Sequence, residues 1–171
     1  DEIQCGMGRT GKMFAFQNYD VKPDIIASAK ALGCGVPVGA FIAGEKCCDS
    51  LVPGDHGTTY GGNPLVTAAV STVLDLYEKN HILENVQEVG AYFEEELEKI
   101  VDEFDNVEMR RGKGLMQGLV LTTPVSETIN KAIEKGLLVI SASGNVLRML
   151  PPLIISKENV DEMIGILKEV L

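Results

Sequence analysis

Residues 107–121 read Val-Glu-Met-Arg-Arg-Gly-Lys-Gly-Leu-Met-Gln-Gly-Leu-Val-Leu. Two short apolar-rich runs, 107–111 and 115–121, flank Gly112-Lys113-Gly114, and glycine on both sides of a break predicts a hairpin-like turn between strands. From there the pattern runs strand, strand, helix, strand, strand, helix. Ser126 stands where it would cap a short helix with Ile129, Ala132 and Ile133 inward, and Gly136 where it would stop it. Residues 137–140 and 146–150 read as strands around Ser143-Gly144-Asn145, the second closed by Pro151-Pro152. Ser156 precedes a last helix whose stripe is Val160, Met163, Ile164, Leu167 and Leu171. This alternation predicts a small α+β domain.

Upstream, Asn63-Pro64 is a helix cap followed by proline at the first helical position. Leu65, Ala69, Val73, Leu76 and Tyr77 then recur at helical spacing to about Asn80. A second helix is predicted over about 82–104, with Val86, Val89, Phe93, Leu97, Ile100 and Phe104 inward. Its acidic residues, Glu94, Glu95, Glu98, Asp102 and Glu103, read as a solvated face. The first sixty residues are rich in glycine and loops, with a short buried strand expected at 25–29 and a second short apolar strand at 38–43. The chain is therefore read as α/β. Residues 1–80 form part of a larger domain, and residues 81–171 form a linking helix and a small C-terminal domain.

With 171 residues, 45% of them hydrophobic and 23% charged, the chain can bury a core without disulfide or metal staples. A net charge of -10 argues against a general nucleic-acid or anionic-membrane binder, because the long-range field repels phosphate. No apolar run approaches the ~18–20 residues that span a bilayer, and no signal-peptide pattern is visible. The chain opens on Asp1, at what reads as the end of a strand, so it is expected to be a piece of something longer. Cys5, Cys34, Cys47 and Cys48 show neither disulfide nor zinc-ligand spacing, and His56 and His81 add no metal pattern. Four reduced thiols and a cytoplasmic location, with no metal, are expected.

Gly6-Met7-Gly8-Arg9-Thr10-Gly11-Lys12 matches both G-x-G-x-x-G and G-x-x-x-x-G-K, each a phosphate-cradle pattern. Both fail on context: Met13 stands where the P-loop needs Ser or Thr, and the next strand ends near Lys30 where the dinucleotide fingerprint needs an acidic residue at a strand end. A tight surface loop is the better reading. Asp1 and Lys30 each follow a strand end, where ligands of open α/β sheets bind. They read either as solvated or paired charges, or as an amine and a carboxylate facing one crevice. The second combination suits a carbonyl cofactor with a ring nitrogen to protonate. His56-Gly57-Thr58-Thr59-Tyr60-Gly61-Gly62-Asn63-Pro64 sets hydroxyls before a helix N-terminus, which reads as an anion contact or as a capping turn. Arg148, inside an apolar strand, needs a partner. Its fork suits a carboxylate, from either a structural acid or a substrate.

Four separated segments carry a resemblance over nearly the whole chain. Residues 1–12 (DEIQCGMGRTGK), 29–40 (AKALGCGVPVGA), 56–64 (HGTTYGGNP) and 144–154 (GNVLRMLPPLI) resemble, in order, segments of the class III, fold-type I aminotransferases. The wording is closest to the acetylornithine branch, with the ornithine and 4-aminobutyrate branches as rivals. The resemblance implies the distal part of a fold-type I large domain plus the small C-terminal domain. It implies pyridoxal 5'-phosphate as cofactor and exchange of an ω-amino group between an acetylornithine-like donor and 2-oxoglutarate or glutamate, in arginine biosynthesis.

By position, Lys30 matches the lysine that binds the cofactor covalently and shuttles the proton. Asp1 matches the acid paired with the ring nitrogen, and Gln4 the residue near the phenolic oxygen. Thr59 matches a threonine that reaches the cofactor phosphate of a neighbouring subunit in a homodimer. Thr58 stands where the family often has Ser beside the substrate, and Arg148 matches the arginine that grips its carboxylate. Cys5 and Cys34 depart from the usual Thr and Gly. Missing from these residues are the loop that holds the phosphate and the aromatic that stacks on the ring. The 171 residues alone are therefore expected to fold in large part without transaminating.

Overall fold

The computed structural model describes residues 1–171, which fall into two compact units, Asp1–Leu83 and Glu84–Leu171.

The first unit holds little regular structure before its helix. Strand β1 (Ile25–Ser28) pairs antiparallel with β2 (Ala40–Ala43), with Ile25 opposite Ala43 and Ser28 opposite Ala40. Both strands are shorter than the apolar runs suggest. Nor is β1 buried as expected, since Ile25 is exposed and only Ser28 is fully enclosed; Phe41 and Ile42 of β2 are exposed as well. A two-stranded ladder cannot cover both of its own faces. Residues 1–2 form no strand, since the Glu2 amide alone bonds across, to the Ala27 carbonyl at 2.9 Å. Helix α1 (Pro64–Lys79) starts as the sequence dictates: the Asn63 side chain accepts from the Leu65 and Val66 amides, and Pro64 occupies the first turn. Its buried face differs from the expected stripe. Val66 and Val73 are buried, while Leu65 and Leu76 are exposed. Both sides of this helix are rich in apolar residues, so periodicity leaves the inward direction open.

The second unit begins along α2 (Ile82–Glu103), whose Val86, Val89, Phe93, Leu97 and Ile100 are buried as the spacing predicts. Strands β3 (Val107–Lys113), β4 (Met116–Leu121), β5 (Ile140–Ala142) and β6 (Val146–Met149) form one antiparallel sheet in the order β3-β4-β6-β5. Leu119, Leu121, Leu147 and Met149 fill its core side. Helix α4 (Lys157–Val170) is capped by Ser156 and buries Val160, Met163, Ile164 and Leu167. It lies beside α2 and runs in the same direction, because Lys157 meets Glu88, Asp161 meets Tyr92 and Lys168 meets Glu103.

Two local expectations are corrected by the fold. Helix α3 (Val125–Glu134) starts one residue before Ser126, which makes no cap; Val125, Thr128 and Ala132 are buried and Ile133 is exposed. The first strand after α3 begins at Ile140, not Leu137, because Leu137 is spent closing the helix. Its amide bonds the Ala132 carbonyl at 2.8 Å while that of Gly136, at φ +85°, bonds Ile133 at 2.9 Å.

Candidate functional site

The glycine loop after Asp1 uses its own amides. Gly6 N–H donates to the Glu2 carbonyl at 3.0 Å, Gly8 to Met13 at 3.1 Å, Arg9 to Gly6 at 3.4 Å and Gly11 to Gly8 at 2.9 Å. A phosphate cradle needs such groups pointing outward at a helix start. This loop leads only into the short 3-10 turn Ala15–Asn18. The loop is a closed wall. Asn18 Nδ2 donates to the buried Thr10 hydroxyl at 2.9 Å, and Tyr77 Oη donates to the Met7 carbonyl at 2.7 Å.

Lys30 leaves β1 through the extended Ala29 and opens a second 3-10 turn, Lys30–Leu32. Its φ is +49°, in the left-handed region, and its carbonyl accepts from the Gly33 and Cys34 amides at 3.1 and 3.2 Å. A lysine held there costs about 1–3 kcal/mol, and such outliers concentrate at functional sites. Its side chain is exposed. Two residues earlier, the Ser28 hydroxyl is buried without a hydrogen-bond partner.

Asp1 is exposed, and its Oδ1 accepts from the Ile3 amide at 2.8 Å. The Glu2–Ala27 bond ties the Asp1 segment to the strand that delivers Lys30. Gln4 is exposed in the same turn. The Thr58 hydroxyl accepts from the Gly61 amide at 3.1 Å, so it is engaged in shaping the turn. Thr59 beside it is exposed. The first free amides of α1 are already taken by Asn63, which leaves that helix start satisfied by its cap.

In the second unit, Arg148 sits half-buried on β6, in register with Gly118 of β4 on one side and Ile140 of β5 on the other. Gly118 presents no side chain next to it. A methyl there would come within 2.7 Å of Val146 Cγ1. The loop after β6 is anchored by Asn85, whose Nδ2 donates to the Leu153 and Ile155 carbonyls at 2.8 and 3.2 Å.

Two side chains that shape these segments, Glu2 and Asn85, escape a sequence reading, and a third, Tyr77, is read only as part of the apolar stripe of α1. Tyr77 carries a signal, since a half-buried tyrosine seeks a partner for its hydroxyl. For Glu2 and Asn85, nothing in the spacing of residues distinguishes them from surface polars. Glu2 is buried, with Oε1 accepting from the Phe16 amide at 2.9 Å and Oε2 from the Ala15 amide at 2.8 Å. Cys5 Sγ also donates to Oε2, at 3.3 Å. Burial and this neighbouring carboxylate push the Cys5 thiol up, which keeps it protonated and able to donate. All four cysteines are free, no group of His, Cys, Asp or Glu is arranged to hold a metal, and no helix is long and apolar enough to cross a membrane.

The sequence model of the aminotransferase class-III family matches residues 1–171. The acetylornithine aminotransferase of Aquifex aeolicus is 48% identical over 171 residues, covering 100% of this chain and 44% of that protein. The crystal structure of acetylornithine aminotransferase from Elizabethkingia anophelis superposes with a TM-score of 0.91 at 34% identity, covering 99% of this chain and 44% of its own. The ornithine delta-aminotransferase of Plasmodium falciparum superposes at 0.92 with 38% identity, over 99% of this chain and 46% of its own. The fold is thus that of a portion of a fold-type I aminotransferase. The chain spans less than half the length of the curated relatives it matches.

Proposed function

The chain belongs to the class-III aminotransferase family, and from that premise we propose that the whole protein exchanges an ω-amino group with 2-oxoglutarate, using pyridoxal 5'-phosphate. The observation that carries this reading is the 2.9 Å bond from the Glu2 amide to the Ala27 carbonyl. It sets the segment of an exposed carboxylate, Asp1, against the strand that leads, through Ala29, to an exposed lysine at φ +49°. An amine and a carboxylate on adjacent segments fit a cofactor that carries an aldehyde and a basic ring nitrogen. When bound, that cofactor supplies the electron sink for the exchange.

The residues then divide the work. Lys30 Nζ would hold the cofactor covalently and, as a free amine, would take and return the proton at the substrate carbon. Asp1 keeps a proton on the ring nitrogen, because a carboxylate favours the neighbouring positive charge. Gln4 orients the ring at its phenolic oxygen. Thr58 lies beside the substrate, and Thr59 reaches the cofactor phosphate of a second copy in a homodimer. Arg148 grips the carboxylate shared by amino donor and 2-oxoglutarate with both prongs of its fork. Residues 1–80 are proposed to be part of the large cofactor-binding domain, and residues 81–171 the linking helix and small C-terminal domain.

N-acetylornithine is the proposed donor, within arginine biosynthesis in the cytoplasm. Its support is the name of the Aquifex relative at 48% identity. Ornithine is the second reading, favoured by the likeness to the Plasmodium ornithine delta-aminotransferase. A comparison of kcat/KM for N-acetylornithine, ornithine and 4-aminobutyrate separates them. The 171 residues alone are expected to be inactive, since the reacting atoms are not held without the remaining cofactor contacts.

The central test is Lys30→Ala in the full-length enzyme. It should abolish the borohydride-reducible cofactor adduct, and an adduct retained on that variant removes Lys30 from its role.

A further inference from the structure

Glu2 is the one charged residue among the buried side chains, at 6% exposure. A buried carboxylate is costly unless its oxygens are satisfied. Here both are. Oε1 accepts from Phe16 and Oε2 from Ala15 and Cys5, so the carboxylate covers the N-terminal amides of the 3-10 turn Ala15–Asn18. Its main chain is engaged as well: the amide donates to Ala27, and the carbonyl accepts from Gly6. Packing at Gly6 is tight, because a methyl there would lie 2.5 Å from the Glu2 carbonyl oxygen. One residue thereby clasps three separate stretches: the turn at 5–6, the turn at 15–16 and the strand at 27. Asp1 immediately precedes it, and Lys30 follows Ala27 by three positions.

We propose that Glu2 is the positioning residue that fixes the Asp1 carboxylate against the cofactor ring nitrogen. It does so by pinning the Asp1 segment both to the strand that leads to Lys30 and to the loop over 5–16. The proposal rests on the roles of Asp1 and Lys30 in the proposed function. Glu2 touches neither substrate nor cofactor. Without its carboxylate, the Ala15 and Phe16 amides lose a buried acceptor, the 5–16 loop loses its anchor and residue 1 is free to shift. A displaced Asp1 no longer stabilises the proton on the ring nitrogen. Neither glutamine nor alanine restores the clasp. The glutamine carbonyl serves one amide, while its NH₂ opposes the other donor.

The test uses full-length holoenzyme with the cofactor's ring nitrogen isotopically labelled for NMR. Three variants are compared with the unaltered enzyme: Asp1→Asn, Glu2→Gln and Gly6→Ala. The last displaces the Glu2 main chain while keeping the carboxylate, and it serves if Glu2→Gln fails to fold. The expected result is that Glu2→Gln and Gly6→Ala move the ring-nitrogen shift toward the unprotonated form, in the direction of Asp1→Asn but less far. They should also lower kcat by about tenfold or more, as small misplacements at a reacting centre do, with KM for the amino donor unchanged. A lowered Tm with an unmoved ring-nitrogen shift in both overturns the proposal and leaves Glu2 a residue of the fold alone. If Asp1→Asn itself leaves the shift unmoved, the reading of Asp1 fails first and the proposal falls with it.

Discussion

The hydroxyl of Tyr77, near the end of α1, donates a 2.7 Å hydrogen bond to the carbonyl of Met7, a buried residue held at φ +50°. A non-glycine residue in the left-handed region costs about 1–3 kcal/mol and persists where its surroundings hold it. Tyr77 is part of what holds Met7, and through it the glycine loop is fastened seventy residues along the chain.

Tyr77→Phe keeps the ring and removes only the donor. The expected loss is about 1 kcal/mol of stability, with faster amide exchange at Gly8 and Gly11. Chemical denaturation and hydrogen exchange check the two parts. Unchanged exchange in the loop would mean that the strained Met7 is held by packing alone.

The same bond makes an alkaline prediction. Burial pushes the Tyr77 phenol above its ordinary value, against the opposing pull of Arg9. A phenol whose folded pKa is raised contributes stability that is fully present below the unfolded value near 10. That contribution is lost as pH rises through the folded value. Tyr92, hydrogen-bonded to Asp161, is pushed up to about 12. A phenolate absorbance titration should show late ionisation of Tyr77 and Tyr92, and Tyr77→Phe should remove one of these two late steps.

Gly90, inside α2, faces the hairpin turn of the sheet. A Cβ there would stand 2.8 Å from Gly114 Cα, a backbone atom that cannot swing aside. Glycine to alanine in a helix ordinarily stabilises by roughly 0.5–1 kcal/mol. Here Gly90→Ala is expected to destabilise by about 1–3 kcal/mol through overpacking. The shift in denaturation midpoint reads the sign. A gain in stability would show that the turn moves away at little cost.

Cys34 is held at φ +46°, in the left-handed region that favours glycine. Cys34→Gly relieves the left-handed side chain at the cost of a more flexible unfolded chain, and about 1 kcal/mol of net stabilisation is expected. Equal or lower Tm in the variant would count against strain at this position.

Arg148→Lys replaces a planar fork by a point charge. Losing one of two charged hydrogen bonds is worth about 1.5–3 kcal/mol, so KM for both the amino donor and 2-oxoglutarate should rise about tenfold or more. If neither moves, Arg148 serves the sheet, between Gly118 and Ile140.

Several parts of the fold were legible in the residues themselves. Asn63-Pro64 and Ser156 mark helix starts because a cap is made with amides two or three residues away. The buried stripe of α2 is equally plain, because its opposite face is acidic and only one side can turn inward. The inward side of α1 was not legible: Leu65 and Val66 are both apolar neighbours, and the surface that α1 meets decides between them. Of the candidate site, the residue types at 1, 30, 58, 59 and 148 stood out in the string, through their pattern and their likeness to a family. Glu2 did not, because an acid beside an acid reads as solvated.

The sequence by itself therefore determined where α1 and α4 begin, that a hairpin joins the strands near residues 112–116, and which residues offer an amine, a carboxylate or a guanidinium. Those properties depend on side-chain chemistry and on neighbours a few positions away. Only the tertiary structure decided that Glu2 is enclosed, and that Met7 is held by Tyr77 while Lys30 leaves its strand at φ +49°. The Glu2 carboxylate is stable inside because the amides of Ala15 and Phe16, thirteen and fourteen residues away, arrive together at its oxygens. Local propensity carries no information over that distance, and the burial energy of one group depends on partners that only the folded chain assembles.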